Sequence, residues 1–254
     1  QAGLTRDSVL FTYSGVRPLP YAPEGSEGSI SRSHVVFDHA KGASTAGGKL
    51  HKSVGGGPKT EGLLSIIGGK LTTYRNLSRQ TVDKVFEKLR LPAVPSTTHR
   101  LPLPGGQTSD FGAFRAEFKT TSGLTDDLSE RLLKLYGARA PEVVALAGDD
   151  PSLKMPLSPN ATVETALIGA EIIHAFENEL AETLSDALLR RAMVGLGPRV
   201  GLDVDAAAAN VAAKHLGWTQ QKTQREVENY REYIRRYRPR EMERSGGITP
   251  VVDT

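Results

Sequence analysis

Apolar positions along this chain follow two different rhythms, and the change falls near residue 92. Up to that point, short β-branched runs at residues 9–13, 35–37 and 63–67 are separated by polar and glycine-rich stretches, the signature of strands joined by loops. The third run is stopped by Gly68-Gly69, after which Leu71, Tyr74, Ser78, Val82, Val85 and Leu89 recur at helical spacing. This segment therefore reads as strand, glycine turn, helix. Pro92, Pro95, Pro102, Pro104 and Gly105-Gly106 then form a linker over 93–106, and strand signals end there. Helical patterns occupy 110–119, 126–136, 141–147, 162–191, 203–216 and 219–238. Start signals at Thr125 and Pro141 and stop signals at Gly137, Gly195 and Gly217 frame them. The expected class is α+β, with a strand-containing portion over 1–92 and an all-α bundle of about six helices over 107–245.

Composition narrows the functional classes. Hydrophobic residues at 38% and charged residues at 24% of 254 describe a globular chain. The net charge of +3, from 32 basic against 29 acidic residues, gives no electrostatic footprint for nucleic acid. Cysteine is absent, which excludes disulfides, thiol nucleophiles and thiolate metal sites. No run of 18 apolar residues is present, so no membrane-spanning helix is predicted. Gln1-Ala2-Gly3-Leu4 starts without methionine and leads at once into a strand-like run, so the natural chain is expected to continue upstream.

Candidate chemistry gathers at the glycine turn. A strand-to-helix turn aims backbone N–H groups and the positive end of a helix dipole outward, a setting for phosphate or another electron-rich oxygen. The same pattern also serves as a plain tight connection in an α/β unit. Gly68-Gly69-Lys70 lacks the upstream glycine of a phosphate loop, and Leu71 stands where that motif needs a hydroxyl. No G-x-G-x-x-G precedes a helix. Arg17, between Gly15 and Pro18, sits on stiff backbone from which its planar fork can meet a carboxylate or phosphate, or stay solvated. Residues 20–29 read as an exposed loop, and residues 41–60, rich in glycine, serine and lysine, as a flexible hairpin connection or a disordered insertion. His34 and His39 flank the run 35–37 without a third metal ligand at suitable spacing.

In the helical part, Glu171 and His174 have the Glu-x-x-His spacing of di-metal bundles, but no second helix repeats it, so no metal site is predicted. Asp186 and Arg190 are an i,i+4 pair. The last helix and its tail interleave Arg225, Arg231, Arg235, Arg236, Arg238 and Arg240 with Tyr230, Tyr233 and Tyr237. That stripe suits either an anionic surface or a solvated helix with inward tyrosines, and its glutamates argue against RNA.

Several motifs together carry a resemblance. Thr12-Tyr13-Ser14-Gly15-Val16-Arg17-Pro18-Leu19, Ser31-Arg32-Ser33-His34 and Gly68-Gly69-Lys70-Leu71-Thr72-Thr73-Tyr74-Arg75 are similar to segments of the FAD-dependent, aerobic, membrane-associated glycerol-3-phosphate dehydrogenases. Leu135-Tyr136-Gly137 and Asp186-x-x-x-Arg190-Arg191 resemble that family's helical C-terminal domain, so nearly the whole chain corresponds to the family's C-terminal half. The octad at 68–75 is the specific part. The resemblance implies the end of an FAD/substrate domain followed by an all-α domain. It implies oxidation of sn-glycerol 3-phosphate to dihydroxyacetone phosphate, with electrons passed to a quinone.

For individual residues it implies that Arg17, Arg32 and Lys70 face the substrate phosphate. The backbone at Gly68, Gly69, Lys70, Leu71 and Thr72 would approach the flavin edge where negative charge accumulates on reduction. It further implies a cytoplasmic location, peripheral on the inner face of the cell membrane, and admits a homodimer. Nucleic acid is no partner. The family's catalytic histidine and its glycine-rich dinucleotide fold are not matched by these residues, and none of the six histidines maps to that role. The chain by itself is thus expected to lack turnover. Two alternatives are an amine or hydroxy-acid flavin oxidoreductase of the same fold, and a helical module that docks on a membrane or partner.

Overall fold

A computed structural model describes residues 3, 5, 8, 9, 11–16, 33–41, 43–46, 49–52, 59–162 and 165–237. They fall into two units, residues 14–101 and residues 102–254 together with 1–13.

The first unit is an antiparallel sheet in the order β3-β2-β1-β4, with one helix. β1 (Val35–Asp38) is central, pairing with β2 (Ala43–Ala46) through Phe37↔Ser44 and with β4 (Leu64–Ile67) through Val35↔Ile67 and Asp38↔Leu64. β3 (Lys49–Lys52) pairs with β2, so the strands described within 41–60 form a hairpin, one of the two forms expected for that stretch. β1 is buried because both of its edges are paired and α1 (Tyr74–Lys88) is pinned to the sheet by polar contacts. His34 Nε2 and Gln80 Oε1 are 2.7 Å apart, and Lys88 Nζ lies 3.0 Å from Asp38 Oδ1. Burial would raise the Asp38 carboxyl, but the Lys88 ammonium and the Ala40 amide outweigh it and hold the group below the ordinary carboxylate range.

The stripe whose spacing identifies α1 is not its inner face. Tyr74, Val82, Val85 and Leu89 are exposed, as is Leu71 just before the helix, while Leu77, Gln80, Thr81, Lys84 and Lys88 are half-buried.

The second unit is helical. α2 (Phe111–Thr121) starts where Asp110 accepts from the Ala113 amide, and α3 (Asp126–Tyr136) where Thr125 accepts from the Leu128 amide. α3 ends at Gly137 with φ +56°, where the Ala138 amide donates to Gly105 O and a side chain on either glycine would overlap the other strand of chain. α4 (Ala140–Ala145), α5 (Gly169–Asn178), α6 (Asp205–His215) and α7 (Gln220–Ile234) complete the set. α5 is central. Ile172 and Ala175 enter one apolar cluster with Leu188, Ala208 and Tyr230, while Ala170 and Ile173 enter another with Phe118, Leu132 and Val143. Gly169 to Ala175 of this helix are all buried, the polar Glu171 and His174 among them, so both of its apolar faces are enclosed.

Two expectations are corrected. The run at 9–13 is not a strand in its described residues: Thr12 N–H donates to Tyr237 O at 2.7 Å and Phe11 stacks on Tyr237. Phe11 packs on the end of the last helix instead of joining a sheet, while Val9 and Tyr13 stay exposed. The long helix expected over 162–191 is also broken. Leu167 and Ile168 are extended, with Leu157 N–H donating to Leu167 O, and Gly169 opens α5 where any side chain would strike Leu153. After Asn178 the chain turns through Leu180 at φ +56°, and Asp186 Oδ2 accepts from the Glu182 and Thr183 amides to start a π-helical turn, Asp186–Arg191. Capping side chains decide this break, and an apolar rhythm does not report them.

Candidate functional site

The glycine turn occupies the end of β4. Because Val35 pairs with Ile67 in antiparallel register, the chain enters β1 through Ser33 and His34 at the end of the sheet where Gly68 and Gly69 leave it. Both glycines have positive φ, +72° and +97°. At Gly69 an added Cβ would stand 3.3 Å from the His34 Cβ, so the backbone here passes close over the start of β1. Lys70 returns to extended geometry and caps a 3₁₀ turn, Leu71–Thr73, that runs directly into α1. Thr73 closes that turn: its hydroxyl accepts from the Lys70 amide at 3.3 Å and donates to the Lys70 carbonyl at 2.9 Å.

The local consequence is an anion-facing surface. Leu71 and Thr72 are the first residues of the helical run, so their amides have no partner within it. Gly69, Lys70, Leu71, Thr72 and Arg75 are all exposed and Gly68 is half-buried. A positive backbone end, an ammonium and a guanidinium thus share one short stretch of surface. Of the seven site positions implied by the resemblance, the structure brings together Gly68, Gly69, Lys70, Leu71 and Thr72. Arg17 and Arg32 lie outside the described residues. His34 and His39 are hydrogen-bonded to Gln80 and to Ser65, and no cluster of three metal-ligating side chains occurs among the described residues.

A second polar centre lies inside the helical unit. Glu171 is buried on α5; its Oε2 accepts from Arg131 Nη1 at 2.6 Å and from the Ile168 amide at 3.0 Å, and its Oε1 from Tyr136 OH at 3.1 Å. Arg131 also donates to Ala192 O at 3.2 Å. Burial, then the Glu171 charge, pushes the Tyr136 phenol far up, so it stays a donor. Sequence reasoning missed Arg131 and took Tyr136 only as part of the Leu135-Tyr136-Gly137 motif. Their signal was present, since Arg131 stands three residues after Leu128 and Tyr136 four after Leu132 on the buried side of α3, where an arginine needs a buried acid.

The arginine and tyrosine stripe is partly spent on structure. Tyr230 is fully buried and donates to Val200 O, and Arg231 grips buried Asp205 at 2.7 Å. Arg190 joins Asp186 to the Tyr233 hydroxyl, both at 2.8 Å, while Arg236 stacks over the Tyr233 ring. Arg225, Arg235 and Arg236 remain exposed.

Comparison with known proteins follows the same division. Residues 96–223 match the family described as the C-terminal domain of alpha-glycerophosphate oxidase, half of this chain. A glycerol-3-phosphate dehydrogenase of Synechocystis sp. is 36% identical over 234 residues, covering 92% of this chain and 39% of that protein. Glycerol-3-phosphate dehydrogenase 2 of Mycobacterium tuberculosis is 30% identical, over 89% of this chain and 35% of its own length. The mitochondrial enzyme of Mus musculus is 28% identical, over 90% and 29%. This chain thus spans about two fifths of these relatives or less. In fold it is similar to the glycerol-3-phosphate dehydrogenase from Bacillus halodurans solved with FAD, with a TM-score of 0.55 and 23% identity over 76% of this chain and 37% of that one. The match through the helical unit, continued by the relatives across the glycine turn, places the chain in the glycerol-3-phosphate dehydrogenase and oxidase family through its C-terminal domain.

Proposed function

We propose that this chain supplies the substrate-side turn and the helical C-terminal domain of an FAD-dependent glycerol-3-phosphate dehydrogenase. The observation that carries the reading is the pair of positive-φ glycines, Gly68 and Gly69, opening an exposed helix start beside Lys70. That arrangement fits a flavin. A side chain at Gly69 would press on His34, the amides of Leu71 and Thr72 are free of the helix, and their positive end favours an electron-rich ring edge. Gly68, Gly69, Lys70, Leu71 and Thr72 would hold the cofactor, whose chemistry is oxidation of an alcohol carbon by hydride acceptance. Lys70, with Arg17 and Arg32, would bind and orient the substrate dianion. The uncovered stripe of Tyr74, Val82, Val85 and Leu89 supports a further layer of protein over α1 in the complete enzyme.

The product would be dihydroxyacetone phosphate. Quinone as acceptor follows from the family resemblance, and a peripheral position on the inner face of the cell membrane completes the reading, with the exposed arginines of the last helix as its support.

Each charge-assisted contact to the phosphate contributes about 1.5 to 3 kcal/mol, roughly a tenfold to hundredfold change in binding. In the full-length enzyme, Arg17→Ala and Lys70→Ala should therefore raise the KM for glycerol 3-phosphate by about that factor. Unchanged kinetics in both variants would remove these residues from the site. Equal turnover of glycerol and glycerol 3-phosphate would instead favour a different flavin oxidoreductase.

A further inference from the structure

His174 is 1% exposed on α5, and its Nε2 is buried without a hydrogen-bond partner. A buried imidazole nitrogen left bare is tolerable when neutral and costly when charged. The charged and aromatic groups that act on it come from α3, from the turn before α4 and α4 itself, and from α5 and its end. From α3, the Tyr136 ring stands edge-on at 5.4 Å, with its hydroxyl committed to Glu171. Glu171, one helical turn back on α5, is itself committed to Arg131, Tyr136 and the Ile168 amide. Arg139, in the turn before α4, and Glu142, in α4, act on the imidazole at longer range with opposite signs. That leaves Glu179, whose Oε1 lies 3.7 Å from Nε2, beyond hydrogen-bond distance.

Glu179 occupies the hinge at which the chain leaves α5. Its carbonyl accepts from Arg191 Nε at 2.7 Å, the next residue is Leu180 in the left-handed region, and the Ala181 amide donates back to Ala175 O at 2.9 Å. The Glu179 side chain is 24% exposed, and among the described residues no other hydrogen bond fixes its carboxylate.

We propose that His174 and Glu179 form a proton-operated latch at the end of α5, open while the imidazole is neutral and closed by an ion pair once it takes a proton. Closure needs only a shift from 3.7 Å to the about 2.8 Å of a charge-assisted bond. Burial pushes the His174 pKa below the ordinary histidine range and the Glu179 charge works against that push, so the latch closes in mild acid and stays open at neutrality. Closing ties residues 179–181 to the buried face of α5. Without the carboxylate, the same proton leaves an unpaired buried cation and loosens the hinge.

The test is amide hydrogen exchange at Ala181 in the full chain, corrected for intrinsic rates and followed from neutral to mildly acid pH, alongside an NMR titration of His174. In the unsubstituted protein, protection should rise with acid. In Glu179→Gln, a partly exposed and nearly isosteric change, protection should fall with acid and the His174 pKa should be lower. His174→Gln, if it folds, should show neither trend. The same pH trend in the unsubstituted protein and Glu179→Gln, or an unmoved His174 pKa, would overturn the latch.

Discussion

Single residues in this protein show how much a buried charge depends on its partners. Glu171 is enclosed in the helical unit and tolerated there because Arg131, Tyr136 and the Ile168 amide together use its lone pairs. Removing the acid would strand the Arg131 guanidinium in the core, a loss of about 3 to 5 kcal/mol. Glu171→Ala should therefore lower the urea midpoint by that much free energy, and a loss below 1 kcal/mol, roughly the value of an exposed pair, would show that the network is solvated. Leu180 poses the opposite case. It holds φ +56° while 86% exposed, so it bears backbone strain without burying surface. Leu180→Gly should stabilise the chain by about 0.5 to 1 kcal/mol in the same assay, whereas destabilisation would mean that the leucine makes a contact which offsets the strain. The sign of the His174 contribution also follows at this scale. Its folded pKa lies below the 6.5 of a free histidine, so the unfolded chain takes the proton first. Global stability from this group is present above that value and is lost as pH falls through the folded pKa; the latch acts on a different equilibrium, local opening of residues 179–181 with His174 still buried.

At the scale of elements, α1 and α5 illustrate two ways in which an apolar rhythm can be satisfied. α5 is enclosed on every side, and its two apolar faces join two separate clusters. α1 is held to its sheet by Gln80 and Lys88, while the stripe that makes it legible as a helix stays exposed. The periodicity of Tyr74, Val82, Val85 and Leu89 announces an element and a sticky face. It does not say what meets that face. The boundaries of α3, expected and found at 126–136, were readable because its caps are local: Thr125 before it and Gly137 after it. The break within 162–191 was not readable, because its causes are the fit of Gly169 against Leu153 and the capping role of Asp186, one of them a contact between residues distant in sequence.

The two units of the whole molecule differ in how fully each buries its own apolar residues. Among the described residues, Val35 and Val36 are the buried hydrophobics of the sheet unit, whereas the helical unit has two extensive clusters. The peripheral-membrane part of the proposed function belongs to this scale, since it rests on charge exposed along the last helix. Exposed Arg225, Arg235 and Arg236 would each contribute about 1 kcal/mol at an anionic surface, an attraction screened within about 10 Å at 0.1 M salt and about 3 Å at 1 M. The intact protein should co-sediment with phosphatidylserine vesicles at low salt and be released at high salt. Absence from the vesicle pellet at low salt would remove these arginines from any membrane contact.

The α+β class, the strand, glycine turn and helix at 64–88, and the places of most later helices are legible from residue order, because strand runs, caps and glycine stops act over a few residues. Residue order also marks Gly68, Gly69 and Lys70, since a double glycine between a strand and a helix is a local statement about backbone. Tertiary structure alone decided that Phe11 and Thr12 join the end of the last helix, that α5 is short and central, and that Arg131, Tyr136 and Glu171 meet in the core. Those outcomes depend on which distant residue fills a space or satisfies a lone pair, and such long-range pairings leave only faint traces in a local pattern of apolar and polar positions.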